Sequence, residues 1–140
     1  MKKLVVYFSQ TGNTKKVAGK IAKNLRADLD EIIDRDKRGE EAMFKKELLE
    51  INFKKNPSKY DLVIIGSPVW AFGVPPATKS YMMKNKFKRV AFFCTYALMT
   101  GFFFGKMKKF SRKPLATLKV HMKKINQSDE KIRKFCNKLK

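Results

Sequence analysis

Six small polar residues, Ser9-Gln10-Thr11-Gly12-Asn13-Thr14, follow directly on the apolar run Leu4-Val5-Val6-Tyr7-Phe8. The run reads as a buried strand, and the amphipathic spacing that begins at Thr14 reads as a helix. A strand that turns into a helix points several backbone N–H groups, and the positive end of the helix dipole, at one spot. A phosphate suits that spot. Ser9, Thr11 and Thr14 add hydroxyl donors, and Gly12 lets the backbone pass close to an anion. The same residues also suit an ordinary capped turn, since Thr and Asn are common at helix starts. Neither a Gly-x-x-x-x-Gly-Lys-Ser/Thr loop nor a Gly-x-Gly-x-x-Gly fingerprint follows the strand, so a nucleoside triphosphate and a dinucleotide are both poor fits. With no lysine in the turn, neutral donors would hold a single monophosphate.

Two further segments carry candidate binding residues. Ser67-Pro68-Val69-Trp70-Ala71-Phe72-Gly73-Val74 reads as a loop after a second apolar strand, and it holds the only tryptophan. Cys94-Thr95-Tyr96-Ala97-Leu98-Met99-Thr100 reads as a loop after a third. Cys94 and Cys136 show no metal-ligand or redox spacing, which predicts free thiols and no metal site. The single histidine, His121, is expected at a surface or strand end rather than in catalysis.

The chain carries 33 Lys and Arg against 12 Asp and Glu, a formal net charge of +21. Every charged residue between Asp61 and Asp129 is a lysine or arginine. Such a field attracts anionic partners, and salt screens it over about a nanometre. An acidic protein is the expected partner; nucleic acid or an anionic membrane is an alternative use of the same surface. The run after Met1-Lys2-Lys3 is too short for a secretory signal, and the longest uncharged stretch, Val90 to Gly105, falls below the ~20 residues of a membrane span. A cytoplasmic location is expected.

The elements that position these segments follow from pattern. A helix is predicted from Thr14 to Ala27 with Val17, Ile21, Ala22 and Leu25 inward, then a strand over Asp28–Asp34. Glu40 to Asn52 reads as a helix with Met43, Leu48 and Leu49 inward, and Asn56–Lys59 as a turn. Leu62–Gly66 is a strand covered on both faces. Pro75-Pro76 opens a helix to about Asn85. Lys88–Cys94 is a strand, and a loop and helix run from Thr95 to Phe110. Pro114–Val120 is a fifth strand, and Ser128 caps a last helix ending near Leu139. Phe102, Phe103 and Phe104 cannot all face one side of a helix, so at least one is expected at the surface. Strand alternates with helix through residues 1–140, which predicts one α/β domain with a parallel sheet between two helical layers. A ligand in such a sheet binds beyond the carboxyl ends of the strands, where the winding reverses.

Tyr7-Phe8-Ser9-Gln10-Thr11-Gly12-Asn13-Thr14, with Tyr60-Asp61-Leu62-Val63-Ile64-Ile65-Gly66-Ser67-Pro68-Val69-Trp70 further on, resembles the flavodoxin family of short-chain type. The resemblance implies a three-layer, flavodoxin-like fold, a five-stranded parallel sheet of order 2-1-3-4-5, and one non-covalent FMN. It places Ser9, Gln10, Thr11, Gly12, Asn13 and Thr14 on the phosphate. It places Pro68, Val69, Trp70, Ala71, Phe72 and Gly73 beside the isoalloxazine, with Trp70 stacked on the ring. A peptide within Trp70–Gly73 would face the ring nitrogen, with Gly73 the easiest pivot. The third segment, Cys94, Thr95 and Tyr96 onward, is bulkier than the family's Gly-rich pattern, and Tyr96 is a candidate to cover the ring's other side.

The resemblance further implies electron transfer between redox partners, with the flavin doing the chemistry and no side chain acting as acid or base. The alternatives are an NAD(P)H-dependent flavin or quinone reductase, and a flavin-free basic binding module on the same fold.

Overall fold

Along Lys3–Tyr7 (β1), Leu4, Val5, Val6 and Tyr7 are all buried. Side chains alternate across a strand, so Val5 and Tyr7 enter one hydrophobic cluster while Leu4 and Val6 enter another. One strand therefore feeds two cores, and the sheet must be covered on both sides. The computed structural model, which describes residues 1–35, 48, 50–70 and 73–140, shows that arrangement.

In chain order the elements are β1, α1 (Asn13–Leu25), β2 (Asp28–Glu31), β3 (Ile33–Asp34), β4 (Ile51–Asn52), a 3-10 turn (Pro57–Lys59), β5 (Leu62–Pro68), α2 (Pro76–Lys84), β6 (Val90–Tyr96), α3 (Phe103–Phe110), β7 (Thr117–His121), a 3-10 segment (Met122–Gln127) and α4 (Asp129–Asn137). Five strands form a parallel sheet in the order β2-β1-β5-β6-β7. Counted along the chain within that sheet, the order is the expected 2-1-3-4-5. Helices α1 and α4 close one face through Val17, Ile21, Ile132 and Phe135; α2 and α3 close the other through Ala77, Tyr81, Phe103 and Met107. An ion pair of 2.7 Å between Lys20 and Asp129 joins α1 to α4.

Several boundaries differ from the sequence reading. The strand expected over Asp28–Asp34 divides in two. Its first part pairs parallel with β1, and Ile33–Asp34 pairs antiparallel with Ile51–Asn52. Ile51 and Asn52 are thus strand, not the end of a helix. Met43 and Leu49 of that expected helix lie outside the described residues, and Leu48 is exposed. The buried Asp30 carboxylate explains the division. It accepts backbone N–H bonds from Glu31 (2.9 Å), Lys54 (2.9 Å) and Lys55 (2.7 Å), drawing the chain after β4 against β2. Ser67 and Pro68 belong to β5, and Thr95 and Tyr96 to β6, where loops were expected. The last helix starts after Ser128 as expected, although the Ser128 hydroxyl turns back to donate to the Lys124 carbonyl.

Tyr81 of α2 is fully buried between Phe53 and Phe87. Its hydroxyl is the one buried side-chain polar atom among the described residues with no hydrogen-bond partner, and burial pushes its pKa up. A buried, unsatisfied hydroxyl costs about 1–3 kcal/mol of desolvation. Tyr81→Phe is therefore expected to raise the urea unfolding midpoint, by about 1 kcal/mol in stability. A lower midpoint would show that the hydroxyl has a partner.

Cys94 and Cys136 are both buried and unpaired. Burial pushes the Cys94 thiol up to about 12 and the Cys136 thiol up to about 11. The reactive thiolate is thus nearly absent at neutral pH. A thiol reagent at pH 8 should leave the folded protein unmodified and titrate both cysteines after unfolding; rapid native labelling would contradict this packing.

Candidate functional site

The segments after β1, β5 and β6 meet at the carboxyl end of the sheet. Phe8 N donates to the Gly66 carbonyl (3.0 Å), extending the β1–β5 ladder, and Val69 N donates to the Thr95 carbonyl (2.9 Å), extending β5–β6. β1 has β2 on one side and β5 on the other, so this is where the winding direction reverses.

The first segment is built as an anion cradle. Gly12 occupies the N-cap of α1 with φ of +95°, a left-handed conformation that side chains resist, and open space surrounds the position a Cβ would take. The Ser9 hydroxyl oxygen accepts from Gly12 N (3.0 Å) and Lys15 N (3.4 Å), which folds the loop back on itself. Asn13 Nδ2 donates to Thr11 Oγ1 (3.2 Å). In the first turn of α1 the Lys15 amide is thus taken by Ser9 and Lys16 N donates to the Gly12 carbonyl (3.1 Å), whereas the Asn13 and Thr14 amides have no carbonyl within the helix to donate to. Thr14 is buried, with its hydroxyl 2.8 Å from that of Thr95. Gln10 is exposed at the loop's edge. These six residues stand together at the start of α1.

The second segment places Trp70 at the centre. Pro68 ends β5 and Val69 is half-buried. Trp70 and Gly73 exchange two backbone hydrogen bonds of 3.0 Å, and Gly73 has φ of +113°. Ala71 and Phe72 lie outside the described residues. The indole is 7% exposed and meets Phe8 edge-on, with centroids 5.8 Å apart. It walls two clefts. One, of about 310 Å³, is lined by Phe8, Ser9, Gln10, Glu31, Ile33 and Asp34. The other, also about 310 Å³, runs from Val69 and Gly73 to Met99, Thr100, Gly101, Phe102, Phe103 and Lys106. Trp70 is shared by the two clefts, of which the first is also lined by Ser9 and Gln10 and the second by Phe102, Phe103 and Lys106.

The third segment departs from expectation. Cys94 and Thr95 are fully buried within β6 and present no surface to a ligand; Thr95 acts on the site through Thr14. Tyr96 packs edge-on against His121, at the end of β7 (centroids 5.2 Å, 79°). The residues that face Trp70 are instead Met99, Gly101 and Phe102. Met99 belongs to the segment singled out from sequence, whereas Gly101, Phe102 and Lys106 lie beyond it and were missed. The Thr100-Gly101 pair just before an aromatic helix start was the available signal, and Gly101 adopts φ of +53° there. Among the described residues, no three His, Cys, Asp or Glu side chains gather as a metal site requires.

The acidic side of the indole differs electrostatically from the other. Glu31 and Asp34 line the first cleft, and burial, then Glu31 and Asp30, push the pKa of the Tyr7 hydroxyl up in an adjoining cleft. In the second cleft the ionisable side chain is Lys106, whose Nζ lies 2.9 Å from where a Gly73 Cβ would stand.

Comparison with known proteins accords with this geometry. No curated protein matches the chain. Among solved structures, a flavoprotein in complex with FMN from Lactobacillus acidophilus superposes with a TM-score of 0.70 at 22% identity, covering 93% of this chain and 97% of that one. Oxidised flavodoxin 2 from Bacillus cereus gives 0.66 at 20% identity (99% and 97%), and a flavodoxin from Streptococcus pneumonia TIGR4 gives 0.67 at 16% (99% and 97%). At such identities these likenesses establish the fold. A family model, described as a flavodoxin domain, matches residues 4–123, from the first buried strand through the last, and with that span the chain belongs to the flavodoxin-domain family.

Proposed function

We propose that this protein binds FMN at the carboxyl end of its sheet and passes electrons between redox partners. The observation that carries the reading is the meeting at Trp70 of the Ser9–Thr14 loop, rich in neutral donors, and a cleft of about 310 Å³ that Phe102 and Phe103 also line. Ser9, Thr11, Gly12, Asn13 and Thr14 would hold the phosphate, and Val69, Trp70 and Gly73 would line one side of the ring. Bound there, the flavin supplies the redox chemistry. The chain's own residues position it: Trp70 excludes water from one face, and Thr95 fixes Thr14. FMN bound to a related flavoprotein supports the assignment.

Titrating FMN into the purified chain tests it. Quenching of flavin fluorescence at equimolar FMN is expected, with riboflavin binding more weakly by the phosphate's contribution. A chain that takes up no FMN would end the reading. NADH and NADPH oxidation by the loaded protein separates a carrier from a flavin or quinone reductase; a carrier should show neither at an appreciable rate.

The charge of +21 adds a prediction about potential. Positive surroundings favour an anion by Coulomb attraction. The couple that forms the fully reduced, anionic ring should therefore lie at a less negative potential than in acidic relatives under the same conditions. A spectroelectrochemical titration giving an equal or more negative value would refute it.

A further inference from the structure

A separate cleft, of about 210 Å³, opens beyond the carboxyl ends of the two outer strands, where β6 ends at Tyr96 and β7 at His121. Lys124 and Gln127 of the 3-10 segment, with Ser128 and Lys131 at the start of α4, complete its lining. None of these six residues lines either cleft beside Trp70, so the FMN reading makes no use of them. The lining holds no aliphatic side chain. Its volume is below the ~300–1,000 Å³ of pockets that take a whole cofactor, which limits the occupant to a small molecule or to one group of a larger one.

Lys124 and Lys131 bring two positive charges to this lining, and neither has a carboxylate partner among the described residues. The acids next to Ser128 in sequence are held elsewhere: Asp129 pairs with Lys20 at 2.7 Å and Glu130 with Arg133. The groove between α1 and α4 makes the contrast. Lys20 and Lys23 line it, but Asp129 stands among them and supplies the counter-charge. The donors of the cleft are also fixed by backbone contacts. Lys131 Nζ donates to the Lys119 carbonyl (3.0 Å), which tethers the ammonium to β7 and leaves it two further N–H groups. His121 Nδ1 accepts from Lys123 N (3.1 Å), so the neutral ring carries its proton on Nε2 and can donate there. The buried Ser128 hydroxyl donates to the Lys124 carbonyl and pins the backbone that bears the Lys124 side chain. Donors held in this way lose less freedom on binding than loose surface lysines.

We propose that this cleft is a second anion site, which takes a doubly charged phosphomonoester group through Lys124, Lys131, His121 Nε2–H, the Tyr96 hydroxyl and the Gln127 amide. Two ammonium groups match a dianion, whereas a single carboxylate would leave one of them uncompensated. The imidazole, phenol and amide add uncharged donors around the same oxygens, which a phosphate with three terminal oxygens can use together. The site is independent of the FMN reading, because it lies on β6, β7 and the start of α4 and shares no residue with the Ser9–Thr14 loop.

His121 is the only histidine of the chain, so its imidazole C–H signal is a single, assigned NMR probe inside the cleft. Inorganic phosphate is titrated at constant pH and ionic strength into the full chain, with and without saturating FMN. The His121 signal should move saturably with phosphate in both states and stay in place with chloride. Lys131→Gln and Lys124→Gln should each weaken the phosphate affinity about tenfold, the loss of one charge-assisted hydrogen bond. Lys109→Gln removes the same charge from α3, in the other helical layer, and should leave the affinity within about twofold. A response linear in phosphate, or one that Lys109→Gln weakens as much as Lys131→Gln, would show only the general field of +21 and overturn the proposal. A shift seen without FMN and lost on loading would place the phosphate in the Ser9–Thr14 loop and overturn it too. A chain that takes up no FMN ends the functional reading above, while the same titration of the unloaded variants still decides this site. Two further arms separate the sources of the group. Glycerol 3-phosphate that displaces inorganic phosphate identifies a soluble ligand, and cosedimentation with phosphatidic acid vesicles that Lys131→Gln abolishes and Lys109→Gln spares identifies a lipid headgroup; a monoester that fails in both forms overturns the assignment.

Discussion

Gly66→Ala is expected to destabilise the protein by about 3 kcal/mol, the upper range for overpacking a core. A β-carbon on Gly66 would stand 1.8 Å from Phe93 Cζ and within 2.3 Å of both Cε atoms. Gly66 of β5 and Phe93 of β6 are register partners in the middle of the sheet, and the phenyl ring lies across the glycine. Phe93 is fully buried in the cluster with α1 and α4, so the ring has nowhere to turn. A loss of that size is a large part of the 5–15 kcal/mol that holds a typical domain together. Urea unfolding of the single mutant and of Gly66→Ala/Phe93→Leu gives the check. The double mutant should recover at least half the loss, because leucine vacates the ring position. A single mutant within about 0.5 kcal/mol of wild type would mean that the ring and the strand are not in contact.

Trp70→Ala should weaken FMN binding about a hundredfold, and Trp70→Phe should restore most of it. The indole walls both clefts and leans on Phe8, so its removal opens one side of the ring site and merges the two spaces. The informative measurement is the ratio of FMN to riboflavin affinity. Trp70 acts on the ring, so both ligands should weaken by the same factor. Gly12→Ala acts on the loop, at φ of +95°, and should weaken FMN while leaving riboflavin nearly unchanged. If Trp70→Ala lowers FMN affinity and spares riboflavin, the indole is not at the ring.

The parts of the fold that could be read from sequence are those whose pattern is local. β1 and β5 are continuous apolar runs because both faces of the sheet are covered, and nothing outside the run is needed to see that. The loop after β1 was legible for a similar reason: hydroxyl, amide and glycine positions sit in six consecutive residues. The Phe102–Phe104 geometry followed from helical spacing, and Phe102 is the exposed one. What was hidden depends on contacts distant in sequence. β3 and β4 are two residues each and exist through their mutual pairing and the grip of Asp30 on Lys54 and Lys55, 24 and 25 residues away. β6 continues past Cys94 through Thr95 and Tyr96 because β7 lies alongside, pairing Thr95 with Val120 and Tyr96 with His121, where composition alone suggested a loop. The contact of Tyr96 with His121, 25 positions later, is of the same distant kind.

The contact between Thr14 and Thr95 links two of these levels. Each hydroxyl owns a single proton and can accept from its neighbour while giving its own away. If an anion draws the Thr14 proton outward, Thr95 must turn its proton inward to keep the pair bonded, since a buried oxygen without a partner is costly. An anion at the start of α1 would thereby set the orientation of a hydroxyl on β6, one strand beyond the neighbour of β1.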